Sequence, residues 1–491
     1  MKINSKKSPS IISSSLLLLL ILFIIIYGVM IANFSVELVL ITVGMIATIF
    51  AIIHGEKWEN IINNMSGKIS SALTAILVLY SIGLVIGTWM MSGTIPYLIY
   101  YGLELINPQF IYVIAFLTTS IVSISIGSSF SSVGTVGVAI MGVAIAMNSN
   151  LAIVAGAIVS GGYFGDKLSP LSDTVIMSSL VAKVNVYDHI KNLMYTSFPA
   201  MIISVIVFFF LGININESGA SQLEELKELQ NVMSEMFNFN ILLLIPPIIV
   251  IIGSLVKKPV LIVLFLSSLA AMFLSFFYQN FPLSLVIESA TEGFNVKMLT
   301  SMNTNINIEG LGKDIKELFN RGGLSSMSQP VLTVFCAFYF AASLELSGAL
   351  KIVLTKTLYY IKSITNTILV SLIAGLVFIF ATGNSYVSFF LMKMSFEEKY
   401  KEKGLHRLVL SRSMEDAGMI PEALVPWTVG GIYMASTLNV NVSDYAPWAI
   451  FNFSGVIFSA LLAILGPHIK WFGIKKDVTY KEGSVKDERV K

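Results

Sequence analysis

Two acids seven residues apart, Asp166 and Asp173, lie in the segment GGYFGDKLSPLSDT (Gly161–Thr174), together with Lys167, Ser169, Ser172 and Thr174. The flanking sequence is apolar, Leu151–Ser160 before it and Val175–Ala182 after it. Ionisable side chains at bilayer depth are costly unless they face a bundle interior or a wet cavity, so they mark ion and proton paths. In an unbroken helix the two acids would share a face. Pro170 stands between them, so the helix is expected to break and both can point into one cavity. Hard cations take oxygen ligands, and the hydroxyls of Ser169, Ser172 and Thr174 would join the two carboxylates. A carboxylate that holds Na⁺ when ionised and H⁺ when neutral makes the ions compete for one site, and that competition gives exchange. Such an acid must titrate near the working pH, and burial raises a carboxyl pKa toward it. Lys167, beside Asp166, offers a competing internal pair.

The chain of 491 residues is 55% hydrophobic and only 12% charged, with mean hydropathy +0.81. Soluble domains carry about 25% charged residues, so the composition predicts an all-α polytopic membrane protein with the lipid bilayer as its surroundings. A net charge of +2 gives no case for a nucleic-acid partner. The single cysteine, Cys336, excludes a disulfide within the chain. His54, His189, His406 and His468 lack ligand spacing, so no zinc or haem site is expected and no cofactor is implied.

The apolar stretches predict about 10–13 membrane segments by length. Ile11–Phe34, Val36–Ile53 and Leu73–Met91 read as spans, with His54–Lys68 polar and interfacial. The basic start, with Lys2, Lys6 and Lys7, places the N-terminus in the cytoplasm, and the apolar run after it is too long for a signal peptide. Phe110–Ile126 leads into the small polar tip GSSFSSVGTVG (Gly127–Gly137), the pattern of a re-entrant hairpin. Ile368–Ala381 leads in the same way into TGNSY (Thr382–Tyr386). Five units follow: residues 1–70, N-terminal membrane segments; 71–212, a first transport repeat; 213–328, an acidic loop, two linking spans and interfacial helices; 329–470, a second repeat; and 471–491, a charged cytoplasmic tail.

The halves echo each other in order. LTAILVLY (Leu73–Tyr80) answers LTVFCAFY (Leu332–Tyr339), and Met91–Gly93 answers Leu346–Gly348. Gly127 to Pro170 is 43 residues, as is Gly383 to Pro426, and the shared offset of 256 pairs Asp166 with Glu422 and Ser128 with Asn384. Interrupted helices in corresponding halves are the best sequence pointer to a transporter's site, because broken helices expose their ends and carbonyls. If the repeats are inverted, Ser128, Ser129, Asn384 and Ser385 at the two tips complete the cation shell of Asp166 and Asp173. Gly127, Pro170, Gly383 and Pro426 make the turns and breaks. Glu415, Asp416, Glu422 and Glu345 are accessory acids. Arg412, one turn before Glu415, offers a local salt bridge, and Glu345 reads as a bundle-facing structural acid.

Four stretches resemble the NhaC-type Na⁺/H⁺ antiporters, within the larger ion-transporter group built on inverted repeats. They are GTWMMSGTIPYLIYYGLELI (Gly87–Ile106), Gly127–Gly142, YFGDKLSPLSDT (Tyr163–Thr174), and RGGLSSMSQPVLTV (Arg321–Val334) with SRSMEDAGMIPEALVPW (Ser411–Trp427). The resemblance implies a cell-membrane antiporter carrying Na⁺ and H⁺, some relatives exchanging organic acids or amino acids instead. Two departures stand out. Where the family usually reads GDQY, this chain has Gly383-Asn384-Ser385-Tyr386; where it usually reads Thr-Ser-Pro, this chain has Pro421-Glu422-Ala423. An acid is lost and another gained, and Phe130 stands where a tryptophan is usual.

The expected activity is exchange of Na⁺ for H⁺ by alternating access. The alternative is a Na⁺- or H⁺-coupled exchanger of small organic acids, of malate/lactate type, or of amino acids, for which helix N-termini and a serine-rich tip would suit an anion. An enzyme is not expected. An intramembrane aspartyl protease would need a Gly-x-Gly-Asp motif, and Tyr163-Phe164-Gly165-Asp166 lacks its first glycine. Oligomeric state, a homodimer included, is not legible.

Overall fold

A computed structural model describes residues 9–32, 34–213, 220–302, 319–466, 468 and 473–474. Most of the expected tail and part of the acidic loop lie outside them. Among the described residues the chain is helical, and nine helices are long and apolar enough to cross a membrane. Three further pairs, bent by 71°, 94° and 54° at short breaks, bring the number to twelve if each is one span.

The first half runs through α1 (Ile11–Ile25), α2 (Val36–Ile53), α3 (Trp58–Met91), α4 (Thr94–Leu105), α5 (Ile111–Ile126), α6 (Ser129–Ser132), α7 (Val138–Ala146), α8 (Leu151–Leu168), α9 (Asp173–Ala182) and α10 (Val186–Ile213). After α11 (Ala220–Met236), α12 (Ile245–Leu255), α13 (Val260–Phe277) and α14 (Leu283–Glu292) come α15 (Ser328–Leu346), α16 (Ala349–Tyr359), α17 (Ile364–Thr382), α18 (Ser385–Glu402), α19 (Arg407–Gly418), α20 (Val429–Leu438), α21 (Val442–Tyr445) and α22 (Ile450–Leu465).

The third span is longer than expected, and the stretch read as interfacial is its first part. Trp58–Lys68 holds no proline and only Gly67, so its polar composition does not end the helix. Leu16, Leu19, Leu20 and Phe23 on α1 stay exposed, as lipid-facing residues do. Ser289 on α14 and Gly323, which follows the segment read as interfacial, are tied to glycines of α3: Gly323 N–H donates to Gly83 O at 2.7 Å and Ser289 Oγ to Gly87 O at 2.9 Å.

Small residues set the spacing at the centre. α8 lies along α5. A Cβ on Gly161 would stand 2.3 Å from Phe116 O, and one on Gly165 would stand 2.5 Å from Ser120 O. Without a hydrophobic force between helices in lipid, such close backbone approach is what holds them. Ser123 Oγ adds a hydrogen bond of 2.6 Å to Gly162 O. Gly165→Ala should therefore force α5 and α8 apart at a cost of about 1–3 kcal/mol. A lowered unfolding midpoint in detergent checks this; an unshifted midpoint would show that the pair has slack.

Candidate functional site

Both tips are built by one device. α5 ends at Gly127 in the left-handed region (φ +75°), and Ser128 then caps α6, its Oγ accepting from Ser131 N. α17 ends at Gly383 (φ +67°), and Asn384 caps α18, its Oδ1 accepting from Val387 N. Glycine takes the left-handed turn without Cβ strain. The capping side chain satisfies the first amide donors.

The breaks match as well. α8 stops at Leu168, because Ser169 before Pro170 takes an extended conformation (φ −86°, ψ 128°). Ser172 caps α9, and Thr428, 256 positions later, caps α20. Lys183 and Asn439, at the same offset, end those helices with φ +58° and +56°. Pro421 and Pro426 flank the second break, which separates α19 from α20.

These turns meet at one cavity of about 350 Å³. Its wall takes Ser128, Ser129, Asp166, Asp173, Thr174, Asn384, Ser385 and Glu422 from the expected set. Asp166 and Glu422 are buried, and each is held by the serine that opens the neighbouring tip helix. Ser129 Oγ donates to Asp166 Oδ2 at 2.7 Å, with Ser129 N at 3.2 Å, and Ser385 Oγ donates to Glu422 Oε2. Gly430 N, in the first turn of α20, donates to Glu422 Oε1 at 3.2 Å. Helix N-termini carry partial positive charge, so each break and tip together hold an anionic side chain. Asp173 sits at the exposed mouth, where Tyr386 OH donates to its Oδ2 from the other half. Asp166 Oδ1 and the hydroxyl of Tyr163, both buried against the cavity, have no hydrogen-bond partner. Among the described residues no three His, Cys, Asp or Glu side chains converge as a ready chelate, so a cation here would draw on hydroxyls and amide oxygens too.

Several expected residues lie elsewhere. Ser169 Oγ donates to Ile124 O at 2.7 Å and staples the break to α5. Ser172 is absent from the cavity wall but faces Asp166, while its Oγ caps α9 and meets Thr174 Oγ1 at 2.9 Å. Lys167 does not pair with Asp166. It reaches Asp416 on α19, both side chains fully buried, and Thr196 Oγ1 also donates to that carboxylate at 3.1 Å. Arg412 makes no bridge to Glu415; its Nη1 donates to Gly473 O at 2.6 Å. Glu345 is not bundle-facing: its side chain, 48% exposed, pairs with Lys68 at 2.6 Å. Tyr163, Tyr386, Thr74 and Met419 also line the cavity and were not foreseen. The repeat offset was the available signal for Tyr386, since it pairs that residue with Phe130.

The tips, broken helices and paired carboxylates define a secondary transporter rather than an enzyme. A profile of the Na⁺/H⁺ antiporter family matches residues 161–467, and the chain belongs to that family. It is 43% identical to an uncharacterized Na⁺/H⁺ antiporter of Haemophilus influenzae, over 84% of this chain and 86% of that one. It is 32% identical to the malate-2H⁺/Na⁺-lactate antiporter of Bacillus subtilis, over 95% and 97%. It is 31% identical to the Na⁺/H⁺ antiporter NhaC of Alkalihalophilus pseudofirmus, over 90% and 93%. Among solved structures, Neisseria gonorrhoeae MtrF is similar at 11% identity and a TM-score of 0.40, too distant to bear on the site.

The Lys167–Asp416 pair joins α8 to α19 away from the cavity. Removing one partner of a buried pair strands the other charge, so Lys167→Met should destabilise by about 3–5 kcal/mol. Lys167→Met with Asp416→Leu should recover most of that. A double-mutant cycle on unfolding in detergent measures the coupling, and additive losses would show that the two do not act as a pair.

Proposed function

We propose that this protein exchanges Na⁺ for H⁺ across the cell membrane by alternating access, with Asp166, Asp173 and Glu422 as the groups on which the two ions alternate. One observation carries this: three carboxylates line a single cavity whose wall includes no lysine, arginine or histidine. Two of the three, Asp166 and Glu422, are buried, and unneutralised buried acids are stable only with protons or cations on them. The hydroxyls of Ser128, Ser129, Thr174 and Ser385 and the amide oxygen of Asn384 supply further ligands.

Residues 71–212 and 329–470 act as two transport repeats of inverted topology, which the matching caps and breaks support. One cavity enclosed by a tip and a break from each half then opens to either side as the halves rock. The lysines at both ends, Lys2, Lys6 and Lys7 with Lys475, Lys476, Lys481 and Lys486, support cytoplasmic termini.

The Bacillus subtilis malate-2H⁺/Na⁺-lactate relative favours a second reading, organic-acid exchange. A cavity of about 350 Å³ also has room for more than a bare ion. The missing basic residue opposes a bound carboxylate unless Na⁺ accompanies it.

Everted vesicles separate these readings. Added Na⁺ should dissipate an imposed pH gradient without any organic acid. Asp166→Asn and Glu422→Gln should each raise half-saturating Na⁺ by roughly 10–100-fold, the loss of one charged partner. Asp173→Asn, at the exposed mouth, should cost less. Proton release that needs malate or lactate would replace the first reading with the second.

A further inference from the structure

Glu415 is fully buried on α19 and does not line the cavity, and its carboxylate makes no ion pair and no close hydrogen bond, with the Ser178 hydroxyl the one donor side chain turned toward it. A buried carboxylate so poorly supplied with donors requires either a cation or a proton. Its surroundings decide between them. From α8 it faces Lys167 and, further off, Asp166; on its own helix stand Asp416 and Arg412. Lys167 is committed to Asp416, and Arg412 turns to Asn192 and Gly473. Of the other elements packed on α19, α10 brings His189, α18 brings Tyr400 and the second break brings Glu422. α9 brings only Asp173, at its far end, and α17 and α22 bring no ionisable side chain. A metal ion here would lie beside an ammonium group with no ring of oxygens around it, whereas a proton needs one oxygen.

A string of exchangeable groups leads to this carboxyl. Ser178, on α9, faces Glu415, and its Oγ lies 3.0 Å from His189 Nε2. His189 Nδ1 lies 2.9 Å from Ser411 Oγ, which bonds Leu408 O at 3.0 Å. Leu408 lines a separate cleft of about 550 Å³ with Lys183, Asp188, His406, Arg407 and Tyr400. The cleft and the cation cavity share none of these residues.

We infer that Glu415 is a second proton-binding site of the exchanger, loaded from this cleft through Ser411, His189 and Ser178 rather than through the cation cavity. Ser411 is buried behind Leu408 and is not in the cleft wall, so in the loading step a hydronium enters past Leu408 and gives its proton to Ser411 Oγ, whose own proton passes to His189 Nδ1. Nε2–H passes its proton to Ser178 Oγ, and the Ser178 hydroxyl proton completes the carboxyl of Glu415. One water is left behind, the imidazole has changed tautomer and both hydroxyls are restored. Protonated Glu415 leaves Lys167 to Asp416; ionised Glu415 competes for Lys167, which adjoins Asp166. Proton occupancy here is thereby coupled to the cation site.

The inference rests on Na⁺/H⁺ exchange, and its test separates the two. Purified protein in proteoliposomes gives the H⁺:Na⁺ ratio from the reversal potential. Glu415→Gln should lose one proton from that ratio. The ratio belongs to each working molecule, so a variant that only lowers the yield of folded protein keeps the wild-type value, and that result overturns the proposal. If Glu415→Gln yields no protein, His189→Gln decides. It should slow proton-coupled Na⁺ flux by roughly 10²-fold, the scale of a lost proton relay, and far more than it slows ²²Na⁺-for-Na⁺ exchange. Equal slowing of both fluxes refutes the relay. Wild type that moves no protons with Na⁺ sinks the exchange reading itself, and this inference with it.

Discussion

The structure depends on holding carboxylates inside a medium that cannot solvate them. Two devices do so. At the cavity, Asp166 and Glu422 are each held by a serine that opens a helix, so amide donors and the end of a helix dipole face the charge. Behind the cavity, Asp416 is matched by Lys167 and Thr196. Each device leaves one carboxylate oxygen unpartnered, Asp166 Oδ1 and Asp416 Oδ2, but only the first faces the cavity; the second lies beside its own ammonium group. The glycines of α8 follow from both, since the helix must lie close enough to α5 for its break to reach the first tip.

The fold was legible wherever local backbone chemistry fixed it. Gly127 and Gly383 each sit before a capping side chain, and proline follows an extended residue at Ser169; these signals act over a few residues. Their recurrence at an offset of 256 therefore carried the tips, the breaks and the Asp166–Glu422 correspondence. Orientation across the bundle was not legible. Lys167 lies next to Asp166 in sequence, but its partner is 249 residues away. Ser169 and Ser172 have the chemistry of ligands, yet the backbone at the break needs their hydroxyls first. His189 looked isolated because both its partners, Ser178 and Ser411, come from other helices.

The shared scaffold makes the differences between halves informative. Asp173 begins α9, and Val429 begins α20 at the corresponding place. Lys167 corresponds to Ala423, and Asp416 to Ser160. The turns and caps recur but the charges do not. One half supplies the acid at the mouth, and each half supplies one partner of the buried pair. The pair therefore ties the halves together instead of stabilising either alone. A relative motion of the halves has to carry α8 and α19 as a unit or break an interaction between two desolvated charges.

The two departures from the family pattern fall on one cavity wall. Asn384 accepts from Val387 N through Oδ1, a capping bond that an aspartate would make equally well. Its neutrality therefore leaves the tip intact and removes one charge from the cavity wall. Glu422 returns that charge to the same wall, bonded to Ser385, the residue next to Asn384. The second half thus presents one carboxylate to the cavity, at the break rather than at the hairpin tip. There it stands where Asp166 stands in the first half. With Glu422 in that place the two halves are alike at the cavity: each carries one buried acid beside its break, bonded to the serine of the neighbouring tip.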